Sequence, residues 1–466
     1  MAKKLQISEK RLHAFWQKSR YFTRLLLTSS KHQIEIIHRG KYNRDAGPDF
    51  IGAVVKIDNK LYRGDVEIHV NARDWFAHGH HTDPAYNQVI LHVALELGAK
   101  QNELTCENGR EILQLFVPAD ELALAKSSAP IQNESLALAF CPLAKRKWAK
   151  RTRTVYAAGR MRLNEKTARM RELIDTISWD QLLYRGLCEA LGYSKNQKPF
   201  LQLAELVPID LIFNELHHRR IESPRVVISA LLFGAAGLLK PAEDGECDAE
   251  IRAYLAPRHI LWQHLQHTLQ IQPMPEAAWQ FFRLRPQNFP TRRIAALVEL
   301  IQKFYGNGML EMLVGLFSAG SAKAGETIKA LRHVFTVAPS GFWLHYYDFR
   351  SRLTPHTFQQ TGALLGDKTA DAMIVNVVLP IIQLFAKETA SASLSNSVAE
   401  VYSAFPKLQS NQITRKMQQQ LFAGAAEVYT VPGGSEFQQG LIHLHKNYCA
   451  SLKCEACLNL AKDCPS

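Results

Sequence analysis

The pattern of apolar residues changes once along the chain, and this change restricts the possible folds more than any other feature. Up to about residue 120, short segments rich in Val and Ile alternate with turn residues, which is typical of strands. The predicted strands cover residues 33–38, 50–57, 61–70, 89–97 and 110–117. A helix is predicted before them over residues 8–27, and a helix or ordered loop over 71–87. From about residue 120 onward apolar residues recur at helical spacing. The prediction is an α+β fold, with an N-terminal α/β unit followed by a large all-α region.

The same change in pattern sets the predicted domain order. An α/β domain is expected over residues 1–125, a linker over 126–145, a helical domain over 146–446 and a cysteine-rich tail over 447–466. The linker is indicated by Ser127-Ser-Ala-Pro130 and by Cys141-Pro142, where the strand pattern has ended and small residues and prolines gather.

Composition excludes several classes of protein. The chain has 466 residues, of which 47% are hydrophobic and 21% charged, as in an ordinary folded protein and unlike a disordered one. Its longest apolar stretches, residues 228–239 and 373–385, fall short of the ~20 residues that a membrane-spanning helix needs. The first residues lack the apolar core of a secretion signal, so a cytoplasmic location is predicted. The net charge of +13 favours a polyanion as partner.

The segment Gly64-Asp-Val-Glu-Ile-His-Val70 places three polar side chains on one face of a strand. Asp65, Glu67 and His69 alternate with apolar residues that point to the opposite face. A hydrated outer surface and a functional site both fit this pattern. Asp49 begins the preceding strand, and the turn at Asp58-Asn59 decides its position. A three-residue turn puts Asp49 on the polar face, and a two-residue turn puts it on the opposite face.

Histidines are concentrated just after this strand. Five of the eighteen histidines lie between residues 69 and 92, a density that favours contact with a transition metal or with phosphate. His78 and His80 are therefore candidate substrate contacts, although a histidine-rich loop that caps a helix fits as well. The order His78, His80, His81, Asp83 partly resembles the signature of metallo-β-lactamase-type hydrolases, which makes a dizinc hydrolase a third hypothesis.

Two basic segments are candidates for contact with a phosphate backbone. Residues 145–171 contain eleven Lys or Arg and a single acid, Glu165, which fits either a phosphate-binding face or a solvated helix face. The segment 283–293 surrounds a predicted helix start with arginines, which fits either anion binding or hydrogen bonding to loop carbonyls. Its candidate substrate-binding residues are Arg283, Arg285, Asn288, Arg292 and Arg293.

Four of the eight cysteines lie at the C-terminal end, in a C-x4-C-x2-C-x6-C array. Cys449, Cys454, Cys457 and Cys464 supply four thiolates, which suit a [4Fe–4S] cluster or Zn²⁺, the alternative being unliganded reduced thiols. The spacing is similar to the C-terminal iron–sulphur loop of the endonuclease III type.

The N-terminal motifs resemble those of the PD-(D/E)xK nucleases. Pro48-Asp49 followed by Glu67-Ile68-His69 is similar to the family motif, with His69 in place of the lysine, and the order helix, three-stranded meander, helix, strand is similar to its core. The resemblance implies that Asp49 and Glu67 bind Mg²⁺ or Mn²⁺, with Asp65 as a further carboxylate. It also implies that His69 orients or deprotonates the attacking water, and that the substrate is a nucleic acid, DNA being favoured over RNA.

A second resemblance covers nearly the whole chain. Motifs spread from the first strands to the tail resemble an uncharacterised bacterial family, domain of unknown function 2851. They are Gly47–Phe50, Gly64–His69, Asp74-Trp75 with His78 and His80, Tyr86–His92, Phe233–Gly237, Arg283–Pro290, and Tyr448-Cys449 with Cys454 and Cys457. We expect a metal-dependent nuclease. The alternative is a non-catalytic nucleic-acid-binding or scaffold protein with a structural metal or iron–sulphur tail.

Overall fold

The computed structural model divides the chain into two compact units. It describes residues 8–43, 47–95, 103–124, 141–193, 195–219, 223–239, 249–282, 284–318, 323–350, 362–422 and 431–460. One unit, here called the sheet unit, comprises residues 1–158, 411–432 and 440–466. The other, the helical unit, comprises residues 159–410 and 433–439. The predicted α+β composition, an N-terminal sheet followed by a large helical region, is confirmed.

A mixed eight-stranded sheet forms the centre of the sheet unit. Its strands are β1 (Leu26–Leu27), β2 (Gln33–His38), β3 (Lys41–Tyr42), β4 (Phe50–Ile57), β5 (Lys60–His69), β6 (Val89–Leu95), β7 (Leu104–Thr105) and β8 (Glu111–Val117). The spatial order is β1-β2-β4-β5-β6-β8-β7, with β3 paired to β4. Strands β2, β4 and β5 are antiparallel neighbours, whereas β5, β6 and β8 run parallel. All five predicted strands are present, because their alternating Val and Ile residues fill the core.

Short helices cover the sheet. Helix α1 (Glu9–Lys18) buries Leu12, Phe15 and Trp16 in the same core as Phe50 and Val66. The connection from β5 to the parallel strand β6 contains a helix of four residues, α2 (Asp74–Ala77), and two 3-10 turns, His80–Thr82 and Pro84–Tyr86. This region was predicted as a helix or ordered loop. Helix Ala119–Leu124 follows the last strand.

The helical unit is built around one large apolar core. Its helices include Trp179–Leu191, Gln197–Leu206, Ile209–His218, Pro224–Ala235, Ala249–Leu269, Pro290–Phe304, Met309–Ser318, Ala324–Phe335, Asp367–Met373, Leu379–Glu388 and Ala392–Ala404. Helix Trp148–Arg171 begins in the sheet unit and continues into this one, and Ser435–Leu444 passes in the reverse direction. Helices Gln197–Leu206 and Ile209–His218 are separated at Pro208, which cannot continue the first helix.

A proline also shapes the most apolar helical stretch of the described residues. Asp367–Glu388 is long and apolar enough to span a membrane, but 78% of its most apolar part is buried inside the protein. Such burial is typical of a helix in a protein core. A π-helical turn, Ile374–Val378, precedes Pro380, whose missing N–H group interrupts the regular hydrogen bonding.

The C-terminal segments differ from the predicted domain order. Helix Gln412–Phe422, the π-helical turn His445–Cys449 and helix Cys454–Asn459 all belong to the sheet unit. The predicted arrangement placed residues up to 446 in the helical domain and treated 447–466 as a separate tail. Most of the predicted linker over 126–145, namely residues 126–140, lies outside the described residues.

Candidate metal centre and cleft

A β-bulge decides which face of the sheet Asp49 occupies. The turn at Asp58-Asn59 has two residues, both with positive φ, and Ile57 lies opposite Lys60. If that register continued, Asp49 would lie opposite Ile68, whose side chain points into the core. The register shifts by one residue between Phe50 and Ala53, so that Phe50 lies opposite Val66. The bulge therefore moves Asp49 to the polar face, beside Glu67, despite the two-residue turn.

Backbone hydrogen bonds hold the two carboxylates at this position. The N–H group of Asp49 donates to Glu67 Oε2 over 2.9 Å, and the N–H group of Ile68 donates to Asp49 Oδ2 over 3.0 Å. Each carboxylate is thus fixed by the strand that carries the other. Glu67 is 5% exposed, and the Asp49 side chain is partly exposed. The polar face of β5 is therefore a buried site at Glu67 and His69, not a hydrated surface.

Histidines surround the free oxygen of Glu67. His69 Nε2 lies 3.5 Å and His80 Nε2 lies 3.4 Å from Glu67 Oε1. The ligand atoms of His69, His78 and His80 all lie within 4.8 Å of one another. His69 Nδ1 is 2.9 Å from Nε2 of the buried His92, so His69 is oriented from behind by a second imidazole. Three imidazoles and a carboxylate oxygen thus converge on one small volume.

Burial sets the protonation of these groups. Desolvation raises the pKa of Glu67 to about 8, and the neighbouring negative charge of Asp49 acts in the same direction. Desolvation is the main cause that lowers the pKa of His69 to about 3, and the nearby His80 and His78 contribute to the same shift. The pKa of His80 falls to about 4 for the same reasons. At neutral pH His69 and His80 are therefore neutral and can offer a lone pair, while Glu67 holds a proton that a cation would displace.

A second observation, a buried nitrogen atom without a partner, also indicates that these side chains could bind a metal ion. His80 Nε2 is buried without a hydrogen-bond partner among the described residues, although buried polar atoms are nearly always paired. A cation between His80, His69 and Glu67 would satisfy this atom and the carboxylate oxygen together. Imidazole donors suit transition metals, and carboxylates suit Mg²⁺ and Mn²⁺.

Helix α1 contributes two residues that the sequence analysis missed. His13 Nε2 lies 3.1 Å from Asp49 Oδ2. Burial lowers the pKa of His13, but the hydrogen bond and the charge of Asp49 outweigh burial and raise it overall. Glu9 lies one helical turn before His13, and its charge raises the pKa of both His13 and Glu67. The spacing of Glu9 and His13 on one helix face was the available signal.

Asp65 has a different partner from the other two acids. Its Oδ1 accepts a hydrogen bond of 2.9 Å from the N–H group of Gly52, the bulge residue with φ +70°. The carboxylate thus stabilises the bulge that positions Asp49. Desolvation raises the pKa of Asp65.

A basic cleft in the sheet unit extends from this site. Its volume is about 1130 Å³, and its described lining residues include Lys10, Lys41, Arg63 and Lys416 but no acid. His13 lines the cleft and contacts Asp49, and Asn43 lines it and donates its N–H group to the Asp49 carbonyl over 2.7 Å. The cleft therefore leads to the carboxylate pair.

The arginines of segment 283–293 have internal partners where the structure describes them. Arg292 is 1% exposed and donates to the carbonyl groups of Trp343 and Tyr346 over 3.1 and 2.9 Å. Arg293 is also buried, and donates to the Leu364 carbonyl and to Asn288 Oδ1. This is the alternative in which arginines fasten loops.

Of the two remaining arginines of that segment, Arg285 is exposed and Arg283 lies outside the described residues.

Most basic residues of helix Trp148–Arg171 also bond within their own unit. In the sheet unit, Arg151 donates to the Leu421 carbonyl over 2.7 Å. In the helical unit, the partners are Glu436 for Arg160, Gln439 for Arg162, Asn376 for Lys166, Glu165 for Arg169, and Asp175 and Glu388 for Arg171. The charge of this helix is thus largely used in holding the fold.

The cysteine-rich tail contributes to a second cavity of the sheet unit. Cys449, Cys454 and Cys457 line a cavity of about 100 Å³, and Cys141 lines it with them. Cys464 lies outside the described residues. Sequence spacing could not indicate Cys141, because it is distant in the chain from the other three.

Comparison with known proteins identifies the family of the chain but assigns no activity to it. A search of curated proteins and a search of solved structures each found no match. One family model matches residues 9–411, which include every residue of the carboxylate and histidine site. The chain belongs to the family described as protein of unknown function (DUF2851).

Proposed function

We propose that the chain is a metal-dependent nuclease that hydrolyses phosphodiester bonds of a nucleic acid, with DNA favoured over RNA. One observation carries the proposal: a bulge brings Asp49 and Glu67 to one face of neighbouring strands, and Asp49 contacts His13 and Asn43, which line a basic cleft without an acid among its described lining residues. Paired carboxylates bind the hard cations used in phosphoryl transfer, and a basic cleft attracts a phosphate backbone.

The topology supports the resemblance to PD-(D/E)xK nucleases. Helix α1 precedes the antiparallel strands β2, β4 and β5, and β6 then runs parallel to β5 after a short helical connection. This order matches the one that the sequence motifs imply. In this proposal Asp49, immediately before β4, and Glu67 on β5 are the two acids of the motif.

The histidines refine the choice of cation. Glu67 Oε1 lies between His69 and His80, so the proposed cation binds these groups together with His78. Among the two predicted cations, imidazole donors favour Mn²⁺ over Mg²⁺, which prefers oxygen ligands and retained water. When bound, such a cation polarises the phosphate and lowers the pKa of a water molecule.

The chain's own residues divide the remaining work. His69 is 2% exposed and held by His92, so we assign it to cation binding in place of its expected role as the residue that acts on water. His13 lines the cleft, and Asp49 keeps it protonated to a higher pH than an ordinary histidine. His13 is therefore suited to contact a phosphate oxygen or to donate a proton to the leaving group. Lys10 and Lys41 would hold the backbone.

The competing function is a nucleic-acid-binding protein without catalysis. The observation that favours it is the histidine at the motif's lysine position, because His69 is buried and neutral where the motif places a charged residue. Binding by the basic cleft would be the same in both cases. Only the dependence of cleavage on Glu67 separates them.

Cleavage of labelled single- and double-stranded DNA and RNA with Mn²⁺ or Mg²⁺ tests the proposal. The wild type, Glu67→Gln and the control Glu111→Gln, an exposed acid on β8, are compared at equal concentration. We expect cleavage by the wild type and the control, strongest with Mn²⁺, and a loss of at least about 100-fold in Glu67→Gln. Equal cleavage by Glu67→Gln contradicts the site, and binding without cleavage by the wild type favours the competing function.

A further inference from the structure

Four cysteines from two distant parts of the chain meet in the sheet unit. Cys141 precedes helix Trp148–Arg171, whereas Cys449, Cys454 and Cys457 belong to the C-terminal segment. All four line the same cavity of about 100 Å³. The thiols also influence each other electrostatically: Cys141 and Cys454 act on Cys449, and Cys141, Cys449 and Cys454 act on Cys457. All four are free thiols.

The local backbone presents the three C-terminal thiols toward one point. Helix Ser435–Leu444 ends in the π-helical turn His445–Cys449, in which Ala450 donates its N–H group to the His445 carbonyl over 2.8 Å. Leu452 then adopts a positive φ of 52°, and Cys454 begins the last described helix. Cys454 and Cys457, three residues apart, share one face of that helix. π-Helical turns are frequent at functional sites.

Positive charge surrounds the thiols. Arg63 and Lys416 line the cavity together with His445, and none of the described residues that line it is acidic. Among the described residues, neither Arg63 nor Lys416 forms an ion pair with a carboxylate. Four thiolates with a metal centre carry net negative charge, which these two cations would offset. Without a metal, the same cations would face neutral thiols.

The spacing of the thiols distinguishes between metal centres. Zinc bonds of 2.3 Å in a tetrahedron hold four sulphur atoms ~3.8 Å apart. Among the described residues, His69, His78 and His80 have all their ligand atoms within 4.8 Å of one another. No three of the described cysteines meet this criterion. In a cubane cluster each thiolate binds a different iron atom, so the sulphur atoms lie farther apart.

We propose that Cys141, Cys449, Cys454 and Cys457 bind a [4Fe–4S] cluster, with Arg63 and Lys416 offsetting its charge. Cys141 replaces Cys464 as the fourth ligand of the predicted set. The cluster would fasten the C-terminal segment to the part of the chain that precedes helix Trp148–Arg171. Arg63 and Lys416 also line the basic cleft, but no residue of the carboxylate and histidine site is a cluster ligand, so iron content and cleavage test the two proposals separately.

The first measurement is the iron and acid-labile sulphide content of the full chain, purified without oxygen. We expect about four iron and four sulphide ions per chain, with a visible absorption band that dithionite bleaches. Cys141→Ser is expected to lose most of the iron, whereas Cys464→Ser and the control Cys106→Ser retain it. One zinc ion per chain without iron would overturn the cluster. Loss of iron in Cys464→Ser but not in Cys141→Ser would overturn the ligand set.

A second measurement on the wild type does not depend on the folding of any variant. Alkylation of the loaded protein, followed by mass spectrometry, reports which thiols are blocked. We expect Cys141, Cys449, Cys454 and Cys457 to be protected together and to become reactive together when a chelator and an oxidant remove the cluster. The buried Cys188 serves as the internal reference, with equal reactivity in both states. Reaction of Cys141 at the same rate with and without the cluster would exclude it as a ligand.

Discussion

The protonation of Glu67 offers a direct test of the candidate metal centre, through the change Glu67→Gln. In the protein dialysed free of divalent cations, the buried carboxylate has a pKa of about 8, well above the 4.5 of an ordinary glutamate. Glutamine has nearly the same shape and is neutral at every pH. Its carbonyl oxygen still accepts the hydrogen bond from the Asp49 N–H group, so the substitution removes the charge and little else.

The sign and size of the effect follow from the shift. A group whose pKa is raised by folding stabilises the protein fully below its unfolded pKa, and that stability is lost as the pH rises through the folded pKa. The free energy of unfolding therefore falls by about 1.4 kcal/mol per pH unit while Glu67 stays protonated in the folded state only. Between pH 6.5 and 8.5 the wild type should lose about 2 kcal/mol relative to Glu67→Gln.

The pH range is chosen to exclude the other titrating groups. His69, His80 and His92 have lowered pKa values, so the stability they contribute is lost only as the pH falls below about 6.5. The raised pKa of His13 adds a decline of the same sign to both proteins, and the difference between them removes it. The raised thiol pKa values act at higher pH.

Urea denaturation at several pH values, followed by tryptophan fluorescence, measures the difference. Trp16 and Trp75 are fully buried in the sheet unit and report on its unfolding. Glu111→Gln should follow the wild type. Addition of Mn²⁺ at pH 8, at about 100 times its Kd, should restore about 2.7 kcal/mol to the wild type and little to Glu67→Gln. Parallel curves for the wild type and Glu67→Gln would show that the carboxylate is not desolvated, and would refute the reasoning.

Three further predictions concern the cleft, the bulge and the helical unit. Lys10→Gln combined with Lys41→Gln should reduce the slope of log binding constant against log salt by about 2 for duplex DNA, with exposed Lys60→Gln as the control. Gly52→Ala should cost about 1–2 kcal/mol, because φ at this position is +70°, and should weaken Mn²⁺ binding in calorimetry. Arg292→Met should destabilise the protein by about 3 kcal/mol in urea denaturation, because two buried carbonyl groups lose their donor, and should leave nucleic-acid binding unchanged.

Local sequence pattern was sufficient to predict the strands and most helices. The β2 and β4 boundaries match the structure, because side chains alternate between the core and the opposite face along most of these segments. The same alternation placed Glu67 and His69 on one face. These are relations between near neighbours in the chain, which the sequence records directly.

The position of Asp49 depended on a feature that alternation does not show. A two-residue turn alone sends Asp49 toward the core, and only the bulge at Gly52 reverses this. A glycine inside a strand pattern is the available sign of a bulge, but it does not say in which direction the register shifts. The register required the paired strand.

Cys141 is a second residue whose position could not be predicted from the sequence pattern. Its partners Cys449, Cys454 and Cys457 are recognisable from their spacing, whereas a lone cysteine next to a proline carries no spacing at all. Its place at the cavity depends on how the chain returns to the sheet unit after the whole helical unit. Such long-range proximity is a property of the folded chain.

Asp65 explains why an alternating acidic pattern does not give the number of metal ligands. Asp65 and Glu67 share one face of β5, yet the carboxylate of Asp65 is occupied by the N–H group of Gly52. A bulge leaves a backbone donor without a strand partner, and a buried donor without a partner is costly. Asp65 supplies that partner, so it acts on the site through the position of Asp49. Strand β5 therefore carries both Glu67, the proposed cation ligand, and Asp65, which holds β4 in the register that brings Asp49 beside Glu67.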